Sequence, residues 1–535
     1  MGLAYETPER LRRLSSLNGQ TAEKGESTFD WTRAIDGTGI FFATLLATTM
    51  WKFWAASSLG LIYDECYYWL WSLHPQLGYY DHPPLAAWSI AAGSALFGHT
   101  EFAVRFFSVL SGVVVALAGR ALASSLYGTA AGNRAGIFLL LAPIFAGNSF
   151  LTTPDTLLIP AFAVAMLCAW KGIQPGASWI WWLGAGLSAG VGALSKYTMV
   201  LFFGGLGILW LASPGRRVRI FWGTFFAGLV ALAIFSPVII WNSQNDWASF
   251  GFQLRHGFRN QQQSLINFDK LGNYIVYLVV IVSPVLGLLC FRSATSRLRD
   301  SRFLFPAAFF WVVIAFFAFS AAKAKIEANW PMSAFIGGLI LVAGNWDRFS
   351  AAWRKWALGI LVAGDLVAAV GISLVAMPPN SPLSPRNFLP PPPDSQSATG
   401  LTALIQKQLG DLRLKLGEIL ETRQTAAAIE KEFQSSGADF VCTANYQLAA
   451  TTAFYAPALK NLVWLPREGP KRLRWIDHQS WTGKNALVLS WHKDPKTELG
   501  FFQSHQELGK VHVPGTRPVF IYFGKSYSPA SPSAP

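Results

Sequence analysis

The feature that most constrains the fold is a series of apolar runs between residues 37 and 377. Most of them approach the roughly 20 residues that a helix needs to cross a bilayer. The predicted spanning helices are 37–57, 102–126, 134–151, 156–171, 178–194, 197–213, 218–240, 270–291, 303–320, 331–347 and 355–377. A run at 84–98 reaches only about 22 Å as a helix, so we expect it to lie along the interface. The sequence therefore predicts an all-α polytopic membrane bundle with about eleven transmembrane helices.

Composition agrees with this prediction. Of the 535 residues, 52% are hydrophobic and only 13% are charged, which is too apolar for a water-soluble chain of this length. The formal net charge is +14, but many basic residues lie in short loops between apolar runs, where they set membrane orientation. We therefore expect these basic residues to interact with membrane lipid and not with nucleic acid.

The basic loops also predict a topology. If the N-terminus is cytoplasmic and 84–98 does not cross, nearly every basic cluster falls on the cytoplasmic side. These clusters contain Arg134, Lys171, Arg216, Arg217, Arg219, Arg292, Arg297, Arg299, Arg302, Arg348, Arg354 and Lys355. Residues 1–36, which lack a signal-peptide pattern, are then a cytoplasmic tail, and the chain after the last span is extracytoplasmic.

The composition changes after residue 377. The predicted order is a transmembrane catalytic domain at 37–377, whose first periplasmic loop is 58–101, a Pro-rich linker at 378–400, a periplasmic α/β domain at 401–526 and a disordered tail at 527–535. Within the α/β domain we expect helices at 401–436 and 446–455 and strands at 439–444, 461–466, 485–491 and 517–524. The four cysteines have no paired spacing, so neither a metal cluster nor a disulfide framework is expected.

The segment from Tyr63 to Trp88, YDECYYWLWSLHPQLGYYDHPPLAAW, concentrates carboxylates, imidazoles and aromatic rings directly after the first apolar run. The predicted topology places its ionisable residues on the extracytoplasmic side together with others farther along the chain. The shared set is Asp64, Glu65, Asp81, His82, Asp155, Lys196, Arg255, His256, Lys323 and Lys325. Ionisable residues near membrane depth commonly mark a substrate or ion site. Taken singly, Asp155 as a helix N-cap, Lys196 as a snorkelling lysine and His256 as a loop residue stay open as interpretations.

These residue types suggest a chemistry. Asp64, Glu65 and Asp81 would give oxygen ligands for a divalent cation, or one ligand and one general base. The cations available for a lipid phosphate are His82, Lys196, Arg255, Lys323 and Lys325. The sequence contains no Walker-type loop, no G-x-S-x-G and no H-E-x-x-H, so an ATP-driven pump or a zinc protease is unsupported.

The same segments carry a family resemblance. Residues 64–88, together with TTPDTLL, LSKYT and the Asn-Trp-Pro at 329–331, resemble the GT-C glycosyltransferases of the protein O-mannosyltransferase-like group. Within that group they are most similar to bacterial inner-membrane enzymes that use polyprenyl-phosphate sugars, such as the lipid A aminoarabinose transferases and the core galacturonosyltransferases. The resemblance covers about residues 35–350 and, more weakly, YQLAATTAFYAP in the C-terminal region.

The resemblance implies roles for the acidic residues. Asp64 would be the catalytic carboxylate with Glu65 beside it, and Asp155 would match a functionally important acid of the family. Asp81 would lie at a metal site, with His256 as a tentative second ligand.

It implies roles for the cations as well. His82 stands where the aminoarabinose transferases have a lysine near the donor phosphate, so Lys196 is a second candidate for that contact. Lys325 and the Asn-Trp-Pro segment match a loop that closes on the donor lipid, with Lys323 as the alternative lysine.

The implied activity is glycosyl transfer on the periplasmic face of a bacterial inner membrane. The donor would be a polyprenyl-phosphate sugar, and the acceptor would be lipid A or core, another glycan or a protein. A divalent cation (Mg²⁺, Mn²⁺ or Zn²⁺) is the one cofactor that the pattern suggests. Two alternatives stay open, namely a transporter or flippase for a lipid-linked saccharide and a non-catalytic envelope-assembly protein.

Overall fold

The computed structural model describes residues 30–258, 268–323, 326–377, 422–460, 462–466, 469–513 and 517–529. Most of the predicted cytoplasmic tail, the predicted linker at 378–400 and the first part of the predicted helix at 401–436 lie outside these residues. The described chain consists of a helical bundle that ends at residue 377 and a C-terminal unit built on one sheet.

Sixteen α-helices make up the described part of the bundle. They are α1 (Thr38–Ser58), α2 (Tyr63–Ser72), α3 (Leu85–Phe97), α4 (Glu101–Tyr127), α5 (Thr129–Leu141), α6 (Pro143–Asn148), α7 (Pro154–Ile173), α8 (Ile180–Ser195), α9 (Leu201–Ala212), α10 (Arg217–Gln244), α11 (Ala248–Phe258), α12 (Phe268–Val280), α13 (Pro284–Ala294), α14 (Ser301–Ala321), α15 (Ala334–Asn345) and α16 (Ala351–Val375). Short 3₁₀ turns precede or follow several of them, including Tyr197–Val200 before α9 and Trp330–Ser333 before α15.

The eleven predicted spans are largely helical in the structure, although 134–151 is divided at Ala142 into α5 and α6. The run at 84–98 forms a separate helix, α3. Five of the described helices have both the length and the apolar character needed to cross a membrane: α4, α7, α10 with its preceding turn, α14 and α16. The predicted span 270–291 is instead two helices, α12 and α13, bent by 99° at the break. The break falls at Ser283, whose φ is +102° and which precedes Pro284, so the backbone cannot continue as one helix.

Glycines set the distance between α8 and α10. Gly186 and Gly190 are four residues apart and therefore lie on the same face of α8. A Cβ on Gly186 would lie 2.7 Å from the carbonyl oxygen of Ala227, and one on Gly190 would lie 2.5 Å from Cβ of Ile234. This close approach aligns the two helices that form one wall of the cavity described below.

The C-terminal unit contains four described helices and one five-stranded sheet. Its elements are α17 (Thr422–Ser436), β1 (Phe440–Cys442), α18 (Tyr446–Tyr455), β2 (Val463–Trp464), α19 (Gly469–Arg472), β3 (Ala486–Ser490), α20 (Lys496–Leu499), β4 (Phe502–Val511) and β5 (Val519–Tyr527). The strand order is β2-β1-β3-β5-β4. β1 is parallel to its neighbours β2 and β3, and β5 is antiparallel to its neighbours β3 and β4. The mixed sheet confirms the predicted α/β class of this region.

The predicted strands correspond to β1, β2, β3 and β5, and the predicted helix 446–455 is α18. Two expectations need correction. The sequence did not predict β4, whose edge position leaves most of its side chains exposed and therefore without an apolar alternation. The predicted disordered tail begins too early, because Tyr527 is the last residue of β5 and is 2% exposed.

The two units share an apolar core. Rings on α2, among them Tyr67, Trp69 and Trp71, are buried in the same cluster as Phe440, Leu448 and the rest of the sheet core. The ring of Trp69 lies 4.8 Å from that of Phe454 at an interplanar angle of 87°. The C-terminal unit is therefore docked on the segment that carries the sequence motif.

Candidate functional site

A cavity of about 1150 Å³ lies where the ends of several bundle helices meet the C-terminal unit. One end is polar and brings together five of the ten predicted site residues with Arg472, which was not predicted. This end contains Asp64, Asp81, His82, Asp155, Lys196 and Arg472. The other end is apolar and runs between α8, α9, α10 and α14, past side chains such as Ala193, Phe203, Leu232 and Phe317.

Asp64 lies in the first turn of α2, where the partial positive charge of the helix N-terminus favours a carboxylate. Its side chain is half-buried and accepts a hydrogen bond of 3.5 Å from the hydroxyl of Tyr446. Burial raises the pKa of Asp64, the Tyr446 hydrogen bond opposes that rise, and the nearby charges of Asp81, Glu65 and Glu327 add to it. A carboxylate with a raised pKa is a stronger base than an exposed aspartate.

Glu65 does not line the cavity. Its side chain is fully buried, and Arg105 donates to both of its oxygens at 2.9 and 2.6 Å. The backbone N–H groups of Ile62 and Thr152 donate to the same carboxylate at 3.1 and 3.0 Å. Glu65, the predicted catalytic partner of Asp64, is therefore fully hydrogen-bonded to other protein groups. It lies on a different side of α2 from the cavity.

Asp155 and Lys196 form a buried ion pair at the polar end. Lys196 Nζ lies 2.8 Å from each carboxylate oxygen of Asp155, and Asn329 Nδ2 donates to one of them at 2.8 Å. Asp155 is in the first turn of α7, but the N-cap of that helix is Thr153. The structure thus gives Asp155 a charged partner in the cavity and not the capping role that stayed open.

Asp81 and His82 lie together at the wall formed by α11. Asp81 accepts hydrogen bonds from the guanidinium of Arg472 at 2.5 Å and from the hydroxyl of Tyr67 at 2.6 Å. The side-chain amide of Gln253 donates to the backbone carbonyl of Asp81 and lies 3.4 Å from Nδ1 of His82. The aspartate is thus held by donors from both units of the protein.

Two of the remaining predicted cations, Arg255 and Lys323, are not brought to the cavity wall. Arg255 is exposed on α11, and Lys323 lies over the ring of Phe319, 4.2 Å from its centroid. Neither residue is among those that line the cavity. Lys325 and the side chain of His256 lie outside the described residues. Of the five predicted phosphate ligands, the structure therefore places His82 and Lys196 in the cavity.

The predicted divalent-cation site is described only in part, because the side chain of His256, its tentative second ligand, lies outside the described residues. Among them, no group of three or more His, Cys, Asp or Glu side chains is arranged to hold a metal ion. Asp81, the predicted first ligand, already accepts from two donors, Arg472 and Tyr67. We therefore derive no step through a bound metal.

The cavity residues that sequence reasoning missed include three polar ones, Gln253, Tyr446 and Arg472. Tyr446 begins the segment YQLAATTAFYAP, in which the family resemblance was noted without a role for any residue. Arg472 stands in a short polar stretch with no recognisable motif, and only the tertiary fold brings it to Asp81.

Comparisons with known proteins support the resemblance. Residues 81–241 match the family described as dolichyl-phosphate-mannose-protein mannosyltransferase. The chain is similar to this family over that region, which is less than a third of its length. The lipid A galacturonosyltransferase RgtD of Rhizobium johnstonii is 26% identical over 403 residues, which cover 72% of this chain and 76% of RgtD. An undecaprenyl phosphate-α-4-amino-4-deoxy-L-arabinose arabinosyl transferase of Sodalis glossinidius is 28% identical over 267 residues, which span about half of its length, 46%.

A solved structure matches the whole architecture. ArnT from Cupriavidus metallidurans in the apo state aligns with a TM-score of 0.61 and 16% identity, over 91% of this chain and 98% of that chain. The structure of the same protein bound to undecaprenyl phosphate aligns equally well. This chain is thus a multi-pass membrane protein with the GT-C fold of ArnT, including a small C-terminal sheet.

Proposed function

We propose that this protein is a membrane glycosyltransferase that moves a sugar, a hexosyl or pentosyl unit, from a polyprenyl-phosphate donor to an acceptor. The observation that carries the proposal is the two-part cavity, in which a half-buried carboxylate stands at the polar end of an apolar groove. The similar proteins are named as transferases of this kind, and one of them binds undecaprenyl phosphate. The cavity and these relatives support the same substrate class.

Asp64 is the proposed base. It would take the proton of an acceptor hydroxyl while the acceptor oxygen forms a bond to the anomeric carbon of the donor. The bond between that carbon and the phosphate oxygen breaks, and polyprenyl phosphate leaves with the bonding electrons. A single displacement of this kind inverts the configuration at the anomeric carbon. The raised pKa of Asp64 favours proton transfer near neutral pH.

The apolar end suits the isoprenoid chain. One wall is formed by small residues on α8, such as Ala189 and Ala193, together with larger ones on α10, such as Leu232 and Phe235. Leu232 and Val200 are more than half exposed, so the groove opens to the surroundings of the bundle. A lipid tail could enter from the bilayer while its phosphate remains at the polar end, beside Lys196 and His82.

The proposed acceptor is a hydroxyl or phosphate group of lipid A or its core, because RgtD is named for lipid A. Another glycan or a protein would present the same nucleophile, and the cavity gives no reason to prefer them. The proposed location is the bacterial inner membrane, with the cavity and the C-terminal unit on the periplasmic face. The one-sided distribution of basic loops supports this orientation.

Transfer activity of the purified protein tests the proposal. The assay supplies radiolabelled undecaprenyl-phosphate galacturonic acid, aminoarabinose and mannose separately, with lipid A as acceptor. We compare wild type, Asp64→Asn and Asp494→Asn, the last an exposed aspartate of the C-terminal unit. Wild type and Asp494→Asn should label lipid A from one donor, and loss of the base should lower the rate of Asp64→Asn by about 100-fold or more.

Two results would count against the proposal. Equal transfer by Asp64→Asn would remove this carboxylate from catalysis. Movement of the labelled lipid across a vesicle bilayer without any covalent transfer would favour the transporter alternative.

A further inference from the structure

The C-terminal unit places a cation inside the cavity. Arg472 ends the short helix α19, and its side chain is only 14% exposed. Nη1 of Arg472 lies 2.5 Å from the carboxylate of Asp81 and 3.3 Å from the hydroxyl of Tyr67. The contact spans 391 positions of the chain, so it exists only when the two units are docked.

Aromatic rings surround this guanidinium. The ring centroids of Tyr446, Tyr80, Tyr67 and Phe252 lie 4.8, 5.7, 5.9 and 6.0 Å from its central carbon. Cations are attracted to ring faces, and the attraction strengthens where water is excluded. A guanidinium stays protonated at any physiological pH, so Arg472 keeps its positive charge beside the Asp81 carboxylate.

The charge lies close to the proposed base. Tyr446, whose ring is nearest to Arg472, also donates the hydrogen bond to Asp64. Leaving-group charge would develop across the anomeric carbon from that carboxylate, within the same polar end of the cavity. A positive group held here would stabilise a departing phosphate without any rearrangement.

Arg472 also stands where a divalent ion was predicted. In the predicted site Asp81 would hold a metal that supplies positive charge for the phosphate of the leaving group. A guanidinium can supply that charge, because its planar fork donates to a carboxylate on one side and to a phosphate on another. The carboxylate of Asp81 already accepts from this fork.

We propose that Arg472 binds the phosphate of the polyprenyl donor and replaces a divalent cation at Asp81, so that the C-terminal unit completes the donor site. This inference rests on the proposed function, since it names a ligand contact of the same cavity. Arg472 contacts the leaving group, whereas Asp81 is a positioning residue that orients the guanidinium. Transfer by this protein should then need no added metal.

Binding of the lipid to the full-length protein in detergent tests the inference without requiring transfer. The probes are undecaprenyl phosphate and undecaprenol, which has the same tail and no phosphate. Arg472→Ala should weaken binding of undecaprenyl phosphate by about 10- to 100-fold, as expected for loss of a charge-assisted hydrogen bond, and Arg472→Lys by less. Binding of undecaprenol should not change.

Arg474→Ala is the matched control. Arg474 is two residues away and also joins the two units, since its guanidinium donates to Asn245 at 2.7 Å. It does not line the cavity, so its removal should leave binding of undecaprenyl phosphate at the wild-type level.

The double variant Asp81→Asn/Arg472→Gln separates phosphate binding from simple neutralisation of Asp81. If Arg472 binds phosphate, the double variant stays as weak as Arg472→Ala. Wild-type affinity in the double variant, or in Arg472→Ala itself, would overturn the inference.

A chelator series supplies the second readout. Wild-type binding and transfer should be unchanged after EDTA treatment and after addition of Mg²⁺, Mn²⁺ or Zn²⁺. If EDTA abolished binding and transfer and one of these metals restored them, that metal and not Arg472 would be the cation that binds the phosphate. A wild type that binds undecaprenyl phosphate through Arg472 but transfers no sugar would remove the proposed function and leave the phosphate site.

Discussion

Two neighbouring carboxylates on α2 have different surroundings. Successive residues of an α-helix point about 100° apart, so Asp64 and Glu65 face different neighbours. Asp64 faces the cavity and Tyr446, whereas Glu65 faces Arg105. The acid pair in the sequence therefore combines one candidate base with one structural anchor.

The hydrogen bond from Tyr446 gives a pH prediction. Asp64 acts as a base only when ionised, so kcat/KM should fall as the pH falls through its pKa. Burial raises that pKa, and the Tyr446 hydrogen bond lowers it. Tyr446→Phe removes the hydrogen bond but keeps the ring, so the acid side of the profile should move to higher pH. Well below the midpoint, kcat/KM should drop about threefold to tenfold.

The control for this profile is Tyr455→Phe on the same helix, α18. The Tyr455 hydroxyl accepts from the backbone N–H of Leu61 at 2.7 Å and does not line the cavity. Loss of the Tyr455 hydroxyl should leave the midpoint of the acid side of the kcat/KM profile unchanged. A shift in both variants, or a shift of Tyr446→Phe to lower pH, would mean that Asp64 does not set the acid side.

At the scale of the element, α2 is fixed by the buried Glu65–Arg105 pair. Arg105 also donates to the carbonyls of Leu59 and Gly60 at 2.8 Å each, just before the helix begins. Together with Thr152, the pair joins α2, α4 and the segment before α7. The orientation of Asp64 therefore depends on the hydrogen bonds among Glu65, Arg105 and Thr152.

Removing one partner should therefore destabilise the fold. Arg105→Met leaves the Glu65 carboxylate buried without its cation, and we expect a loss of about 3–5 kcal/mol in chemical denaturation in detergent. Arg423→Met is the matched control, because Arg423 pairs with Glu101 but its side chain is 58% exposed. That variant should cost about 1 kcal/mol or less. Equal losses would mean that burial does not set the strength of these pairs.

Helices were the most predictable elements. Apolar runs with charged loops between them gave all eleven segments, because burial in lipid or protein demands apolar residues along their length. The bend between α12 and α13 was missed, since Ser283-Pro284 sits inside a run that reads as continuously apolar. β4 was missed because an exposed edge strand does not need the apolar alternation by which strands are predicted.

At the scale of the whole molecule, the candidate site belongs to two units. The bundle supplies Asp64, Asp81 and the Asp155–Lys196 pair, which sequence reasoning placed on one side of the membrane. The C-terminal unit supplies Tyr446 and Arg472. No local sequence pattern connects residues separated by nearly four hundred positions. The two residues from the C-terminal unit could therefore be assigned to the site only from the tertiary structure.

Because the units share one apolar core, docking of the C-terminal unit should control activity. Phe454→Ala removes the ring that packs on Trp69 and should lower stability by about 3 kcal/mol. It should also speed hydrogen exchange across α2 and lower kcat/KM, because Tyr446 and Arg472 lose their fixed positions. Phe502→Ala is the control, since Phe502 has the same 9% exposure as Phe454 but packs on Tyr527, within the sheet unit.

Phe502→Ala should lower the unfolding temperature to a similar extent and leave exchange in α2 unchanged in the folded protein. The two variants thus separate loss of stability from loss of docking. If Phe454→Ala keeps wild-type kcat/KM while α2 exchanges faster, the cavity does not need the C-terminal unit in place. If both variants lose activity equally, overall stability and not the shared core determines the rate.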